Sequence, residues 1–359
     1  MGGPSEKNRK KALGKIIKIA IPTVITVGLC FILFNGIDFR EMMEIIRRDC
    51  DFRWIGLMFV IAFCSHVIRA WRWKLQLNAL AVYPPFFWVV LAIFGTYAVN
   101  LVFPRLGEVW RTGYISERQH AQFTTVFGSM VADRAADTLT VLILAAITFV
   151  FASPALIAFL ERYPETYQGV VHALESPWLW ASIVALIICV AFVYLKFSHH
   201  RVIRKIKEAL IDLWKGFAVV FRMKGQVLWL LLTVGIWGCY FFQLYVAFFA
   251  FPFTTQIVHD HGMLAVLVTF VLSSLAMGIP SNGGIGPWQI AVIFALTIYA
   301  PIGLTAADQE LYRTNITAFA NLVMGMETLF LIVLGIFTFI CIFFDKRRHP
   351  KNELISRPS

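Results

Sequence analysis

Apolar residues fall along this chain in eight long runs, and two of the eight are broken in the middle. The six unbroken runs lie near 16–35, 54–75, 126–152, 178–197, 227–251 and 316–344. Each is long enough, at about 20 residues, to cross a hydrocarbon layer as a helix. The broken runs occupy 86–122 and 263–300. The first contains Asn100, Pro104, Arg105, Gly107, Glu108 and Arg111, and the second contains Gly278, Pro280, Asn282, Gly283, Gly284, Gly286, Pro287 and Gln289. A simple anchor has no use for such breaks. Unwound backbone at membrane depth is tolerated only where protein or a wet cavity satisfies its polar groups. A pair of interrupted segments, one per half of the chain, is the sequence pattern of a transporter's binding site.

Composition narrows the class without changing it. At 59% hydrophobic, 15% charged and mean hydropathy +0.72, the chain is too apolar for a soluble domain. Its 11 Trp, 10 Tyr and 33 Phe suit a lipid-facing surface with interfacial belts. A net charge of +11 raises nucleic-acid binding as an option, but the basic residues flank apolar runs as topology signals do, so no nucleic acid is expected as a partner.

Charge also sets the predicted topology. Six Lys/Arg precede or begin the first run, and without a short core and a cleavage site it reads as a retained helix with a cytoplasmic N-terminus. Eight basic residues lie in 196–224 and five follow 344. By contrast, 153–177 holds only Arg162 against three glutamates, and 252–262 holds none. Parity then makes 86–122 enter and return on the cytoplasmic side, and 263–300 on the outer side. The expected fold is an all-α polytopic membrane protein: six full spans plus two re-entrant helical hairpins in an inverted-topology repeat. Its parts are a basic tail 1–15, a first repeat 16–152, an external loop 153–177, a second repeat 178–344 and a basic tail 345–359, both tails cytoplasmic. The alternative is that each broken region crosses as a kinked helix. Within the second repeat, 199–224 reads as a basic amphipathic helix, with Ile203, Ile206, Leu210, Leu213, Phe217 and Val220 as its apolar stripe. Such a helix lies on the inner leaflet and favours anionic lipids.

The charges inside the apolar runs are the candidate chemistry. On a helix beginning after Pro104, Arg105, Glu108 and Arg111 are spaced to share one face. Asp133, Arg134 and Asp137 sit early in the third full span, with the aspartates at i, i+4. Together they make three cations and three anions, and buried charge is costly unless paired. The cluster therefore reads as an ion-pair network locking the hairpin, or as one whose arginines also touch a lipid phosphate, for which the planar guanidinium fork is suited. His66, Arg69, Arg72 and Trp73 close the second span. They read either as an interfacial anchor or as a headgroup contact. Asn282, Gly283, Gly284 and Gly286, followed by a helix starting at Pro287, form a permissive loop whose N–H groups suit an anion. Glu327, deep in the last span, is an ion-coupling candidate or a hydrogen-bonded packing carboxylate.

Other chemistries find little support. The six cysteines are scattered, His259-Asp260-His261 is a weak metal motif, and no P-loop, hydrolase elbow or zinc-protease motif is present. No catalytic residue, metal or cofactor is assigned.

Taken in order, Arg69-Ala-Trp-Arg72-Trp73, the Asn100–Arg111 motif, Asp133-Arg134-Ala-Ala-Asp137 and Pro280-Ser-Asn-Gly283-Gly284-Ile-Gly286 resemble the lysylphosphatidylglycerol synthase transmembrane family, the flippase-like domain, over roughly residues 10–345. The resemblance implies a multi-pass prokaryotic inner-membrane protein that moves or handles a lipid: a phospholipid, an aminoacyl-phospholipid or a polyprenyl-phosphate lipid. Carried over, Arg105, Gly107, Glu108 and Arg111 match its first motif and Gly283, Gly284 and Gly286 its second. Gln289 departs from the family's glutamate, which puts an acidic role there in doubt. No synthase domain follows residue 345, so aminoacyl transfer is not expected of this chain. Competing readings are an integral-membrane enzyme on lipid headgroups and an accessory subunit for a separate lipid-modifying transferase. Homodimerisation stays open.

Overall fold

The computed structural model describes residues 39–162 and 218–348 apart from 302, with isolated positions 175–177, 181, 184, 211 and 214. The predicted tail 1–15 and span 16–35, nearly all of the span 178–197, residues 163–174 of the loop 153–177, most of the linker 199–224 and residues 349–359 of the second tail lie outside the described residues. The first half supplies α1 (Phe39–Asp49), α2 (Phe52–Ala79), α3 (Phe86–Val102), α4 (Gly107–Arg118) and α5 (Phe123–Arg162). The second supplies α6 (Gln226–Ala247), α7 (Pro252–His261), α8 (Met263–Ala276), α9 (Pro287–Ile298) and α10 (Ala306–Arg348). Among the described residues there is no strand. The chain is an all-α, multi-pass membrane protein: α2, α5, α6 and α10 are long and apolar enough to cross a bilayer, and α7 and α8 form a pair bent by 111° at Gly262.

The helix α2 is inside-out. Asp51 caps it by accepting the Arg53 N–H at 3.0 Å. Over its C-terminal half, Ser65, His66, Arg69, Arg72, Trp73 and Gln76 recur at three- and four-residue spacing, which puts them on one stripe. All six are buried, while Leu57, Val60 and Phe63 are exposed. The stripe faces protein because a lipid-facing cation would have no partner.

Both broken runs form hairpins. Pro104 forces the preceding residue out of helical space, and Phe103 adopts φ −125°, ψ 102°, ending α3. Arg105 then takes a left-handed φ of 60°, and α4 begins only at Gly107. The Gly107 N–H donates to Asn100 Oδ1 at 2.8 Å, and a Cβ at Gly107 would overlap the Thr96 carbonyl. Glycine is what allows α4 to fold back onto α3. In the second hairpin Gly283, Gly284 and Gly286 carry φ of 64°, 88° and 94°, turning the chain between α8 and α9. Proline opens α9, and the side chain of Gln289 reaches back to accept the Gly286 N–H at 2.7 Å.

The halves pack with matching relations. Within each, the two hairpin helices pair (α3 with α4, α8 with α9), and the second of them packs on that half's last long helix (α4 on α5, α9 on α10). Across the halves, the first hairpin helix packs on the other half's last long helix: α3 on α10, α8 on α5. The equivalent helices α2 and α6 pair along their length. Asp51 N–H donates to the Ala250 carbonyl (2.8 Å), Arg69 to the Tyr240 hydroxyl (3.1 and 3.2 Å) and Arg72 to Thr233 Oγ1 (3.2 Å). As numbers rise on α2 they fall on α6, so the two run antiparallel. Equivalent helices in opposite directions are what an inverted repeat requires. The hairpin tips meet where the halves join: Arg105 donates to the Gly278 carbonyl, and Gly283 lies against Leu101, whose Cδ2 is 2.5 Å from where a Cβ would stand.

Two connections hold helices that hydropathy does not reveal. The acidic–basic segment 36–53 contains α1, which buries Met42, Ile45 and Ile46 and exposes Arg47 and Arg48. The segment 252–262 contains α7. Both are too short and too polar to register as spans. The last helix begins at Ala306, ten residues before the apolar run it carries.

Candidate functional site

The buried stripe of α2 meets the start of α5 and the face of α4 in one ion-pair network. Arg72 lies at its centre, with Nε 3.3 Å from Asp133 Oδ1 and Nη1 3.0 Å from Asp137 Oδ1. Arg69 Nη1 pairs with Asp137 Oδ2 at 2.8 Å. Arg111 approaches Asp133 Oδ2 at 3.6 Å and lies over the Trp73 ring, 4.5 Å from its centroid. Arg134 pairs with Glu108, which also takes the Asn100 amide at 3.4 Å. Gln76, with its amide nitrogen toward Asp133 (3.0 Å), takes the indole N–H of Trp229 (3.2 Å) on its oxygen. The side chains of Arg72 and Asp133 are fully buried, and those of Arg69, Arg111 and Asp137 are at most 11% exposed.

This assignment of partners differs from the sequence expectation in three places. Arg105 does not share a face with Glu108 and Arg111. Because α4 starts at Gly107, Arg105 sits in the turn, exposed, and reaches the other hairpin. Arg69 and Arg72 are not an interfacial anchor, because they are sealed inside against Asp133 and Asp137. The cluster is therefore not balanced. Four arginines (69, 72, 111, 134) face three carboxylates (108, 133, 137), leaving one positive charge uncompensated within the network. Arg134 is the network cation left most open, its side chain 43% exposed.

Second-half residues take related positions. Glu327 on α10 accepts from Gln243 on α6 at 2.8 Å, just as Asp137 on α5 accepts from Arg69 on α2. In each half, a side chain of the earlier long helix (α2 or α6) holds a carboxylate on the last (α5 or α10). Tyr240 OH, which receives Arg69, also lies 3.3 Å from Tyr97 OH of the first hairpin, tying the halves together. Gln289 caps α9 and donates to Asn321 Oδ1 at 3.2 Å, so it braces the second hairpin. Asn282 Oδ1 is buried without a hydrogen-bond partner among the described residues.

Sequence reasoning missed Gln76, Trp229, Thr233 and Tyr240, and it placed Asn100 in a motif without assigning it a role. Gln76 carried a signal, since it continues the polar stripe of 65, 69 and 72 by one turn. Nothing in the local sequence marks Tyr240, one of two tyrosines in an aromatic-rich span.

A family model described as the lysylphosphatidylglycerol synthase TM region matches residues 19–309. Searches of curated proteins and of solved structures gave no match.

Proposed function

We propose, since the chain belongs to the lysylphosphatidylglycerol synthase transmembrane family, that it is a lipid translocase. It moves a lipid with a phosphate headgroup (a phospholipid, an aminoacyl-phospholipid or a polyprenyl-phosphate) between the leaflets of a prokaryotic inner membrane. The observation that carries this reading is the uncompensated positive charge of the buried network together with the exposure of Arg134 beside the meeting hairpin tips. A buried charge without a counter-ion costs several kcal/mol, and a phosphate in reach of Arg134 offsets that cost when it binds. Arginine's fork takes two phosphate oxygens at once. Arg69, Arg72 and Arg111 hold the network's shape, while Arg134 and Arg105 meet the headgroup. The tails remain in the bilayer, and the glycine loop 282–286 receives the headgroup from the other hairpin. Glu327, equivalent in placement to Asp137, is the candidate for coupling to an ion. No cofactor enters this scheme.

Replacing Arg134 with Gln removes the accessible cation but keeps a hydrogen-bonding side chain. Loss of a charge-assisted hydrogen bond is worth about 1.5–3 kcal/mol, so flipping of an anionic phospholipid in proteoliposomes should fall about 10-fold or more. Arg134→Lys should recover part of the rate. Rates equal to wild type in both variants would remove Arg134 from the path.

The orientation that this reading assigns has its own check. His120, exposed between α4 and α5, lies on the cytoplasmic side, and Ala307, exposed at the start of α10, lies outside. Single cysteines on a cysteine-free background should react with an impermeant maleimide at 307 in intact cells, and at 120 only after permeabilisation. Labelling of 120 in intact cells would overturn the assignment.

A second reading is favoured by the family's description as a membrane region of a synthase: a subunit that presents lipid to a separate transferase. It predicts the same binding residues but no leaflet exchange by the chain alone.

A further inference from the structure

The two halves hold equivalent carboxylates in different ways. Asp137 on α5 has two guanidinium partners, Arg69 at 2.8 Å and Arg72 at 3.0 Å. Glu327 on α10 has a neutral one. The Gln243 amide nitrogen donates to its Oε2 at 2.8 Å, and among the described residues no cation pairs with it. Gln243 on α6 thus stands where the repeat has Arg69 on α2. Glu327 is also the central residue of α10, and no other charged residue lies on that helix between Arg313 and Asp345. It is half-buried rather than sealed.

The titratable groups on the surrounding helices are engaged elsewhere, with one exception. Arg40, Glu44, Arg47 and Arg48 of α1 are exposed, and α9 carries no titratable side chain. From α3, Tyr97 turns its hydroxyl to that of Tyr240 on α6, 3.3 Å away. From α2, Arg69 and Arg72 are held by Asp137. The exception is His66, also on α2. Its ring centroid lies 4.5 Å from that of Tyr97 and 6.4 Å from that of Phe330, three residues beyond Glu327, and neither ring nitrogen has a hydrogen-bond partner among the described residues. An ionised carboxylate at this depth is costly without a counter-ion, so Glu327 takes a cation from solution. A hard metal ion needs several oxygen ligands, and Gln243 presents nitrogen. A proton needs only the carboxyl.

We propose that Glu327 binds one proton per transport cycle and so couples lipid movement to a proton gradient. This rests on the translocase reading and names its coupling ion. With the proton on, the contact of α10 with α6 carries no charge, and the two hairpins exchange arrangements. With the proton off, the bare carboxylate holds the protein in an arrangement where water reaches residue 327. The proton enters on one side and leaves on the other, and no bond of the lipid changes. Asp137 cannot serve this way, because its two arginines keep a counter-charge in place throughout.

Two readouts test it on the full chain. The first needs no lipid transport. Infrared spectra of the purified protein in detergent should show a protonated-carboxyl stretch that disappears on alkalinisation, and Glu327→Gln should lack it. The second uses proteoliposomes holding a headgroup-labelled phosphatidylglycerol, with the membrane potential clamped by a potassium ionophore. A gradient of about one pH unit should shift the steady-state leaflet ratio of the label by up to about 10-fold, the limit for one proton per lipid. In Glu327→Gln the label should equilibrate without following the gradient, while Glu327→Asp should keep following it. Gln243→Arg tests the site with Glu327 in place. It supplies the counter-ion that Arg69 supplies in the other half, and should remove both the stretch and the gradient dependence. The proposal fails if Glu327→Gln keeps the stretch, or if lipid moves but ignores the pH gradient or follows a sodium gradient. It fails too if His66→Phe uncouples transport and Glu327→Gln does not. Lipid that does not move at all, with the stretch present, would instead contradict the translocase reading and take the coupling with it, leaving Glu327 as a proton site.

Discussion

Replacing Asp133 with Ala is expected to cost about 3–5 kcal/mol, read as a large fall in the thermal midpoint of the purified protein in detergent. The residue is fully buried and meets Arg72 at 3.3 Å, Arg111 at 3.6 Å and Gln76 at 3.0 Å. Its loss leaves four network arginines, three of them buried, against two carboxylates. The sign of the charge imbalance makes a second expectation. Arg72→Met also breaks the centre of the network, but it leaves three arginines against three carboxylates, so it should destabilise less than Asp133→Ala. Pairing Asp133→Leu with Arg111→Met removes one charge of each sign and refills the space with apolar atoms, and should regain much of the loss. At the surface, Arg48→Ala should shift nothing measurable, because Arg48 is three-quarters exposed and its partner Asp49 is a chain neighbour. A double variant no more stable than Asp133→Ala alone would show that these charges do not act as one network.

Joining the hairpin tips should stop transport reversibly. A Cβ built at Gly283 lies 3.9 Å from Leu101 Cα, which is within the reach of a disulfide. With Leu101→Cys and Gly283→Cys on a cysteine-free background, oxidation should link the two halves where they meet, and flipping should fall to the protein-free leak. A reductant should restore it to the rate of the unoxidised double variant. The reduced form carries its own small penalty, because cysteine at φ 64° is strained, so the comparison is made within the variant. If the crosslinked protein moves lipid at the reduced rate, the tips do not separate during transport.

Much of this architecture is legible in the chain. The apolar runs give α2, α5, α6 and α10 because span length is a strong constraint in lipid. Pro104 and the glycines at 283, 284 and 286 give the two hairpins because few residues turn a chain inside a membrane. The partner assignments are not legible, since they depend on helices far apart in sequence. Arg69 and Arg72 follow a long apolar run and look like interfacial anchors until α5 is laid against them with Asp133 and Asp137. Spacing alone groups Arg105 with Arg111, and only the extended Phe103 and the late start of α4 at Gly107 separate them. Tyr240 enters the site through the antiparallel pairing of α2 with α6, which no local pattern encodes. The residues that the family motifs name lie in the network or at the hairpins, and the geometry separates them: Arg134 is open where Arg72 is sealed, and Gln289 caps a helix where an acidic role had been in question.

The central claim is that this chain alone carries a lipid with a phosphate headgroup across the bilayer. The most direct measurement reconstitutes the purified wild-type protein into liposomes holding a phosphatidylglycerol with a fluorescent label on its headgroup, then adds an impermeant quencher. If the claim holds, fluorescence falls well past the outer-leaflet fraction, and Arg134→Gln slows that second phase. Loss that stops at the outer-leaflet fraction, as in protein-free liposomes, under every ion gradient and with a polyprenyl-phosphate probe as well, would contradict it.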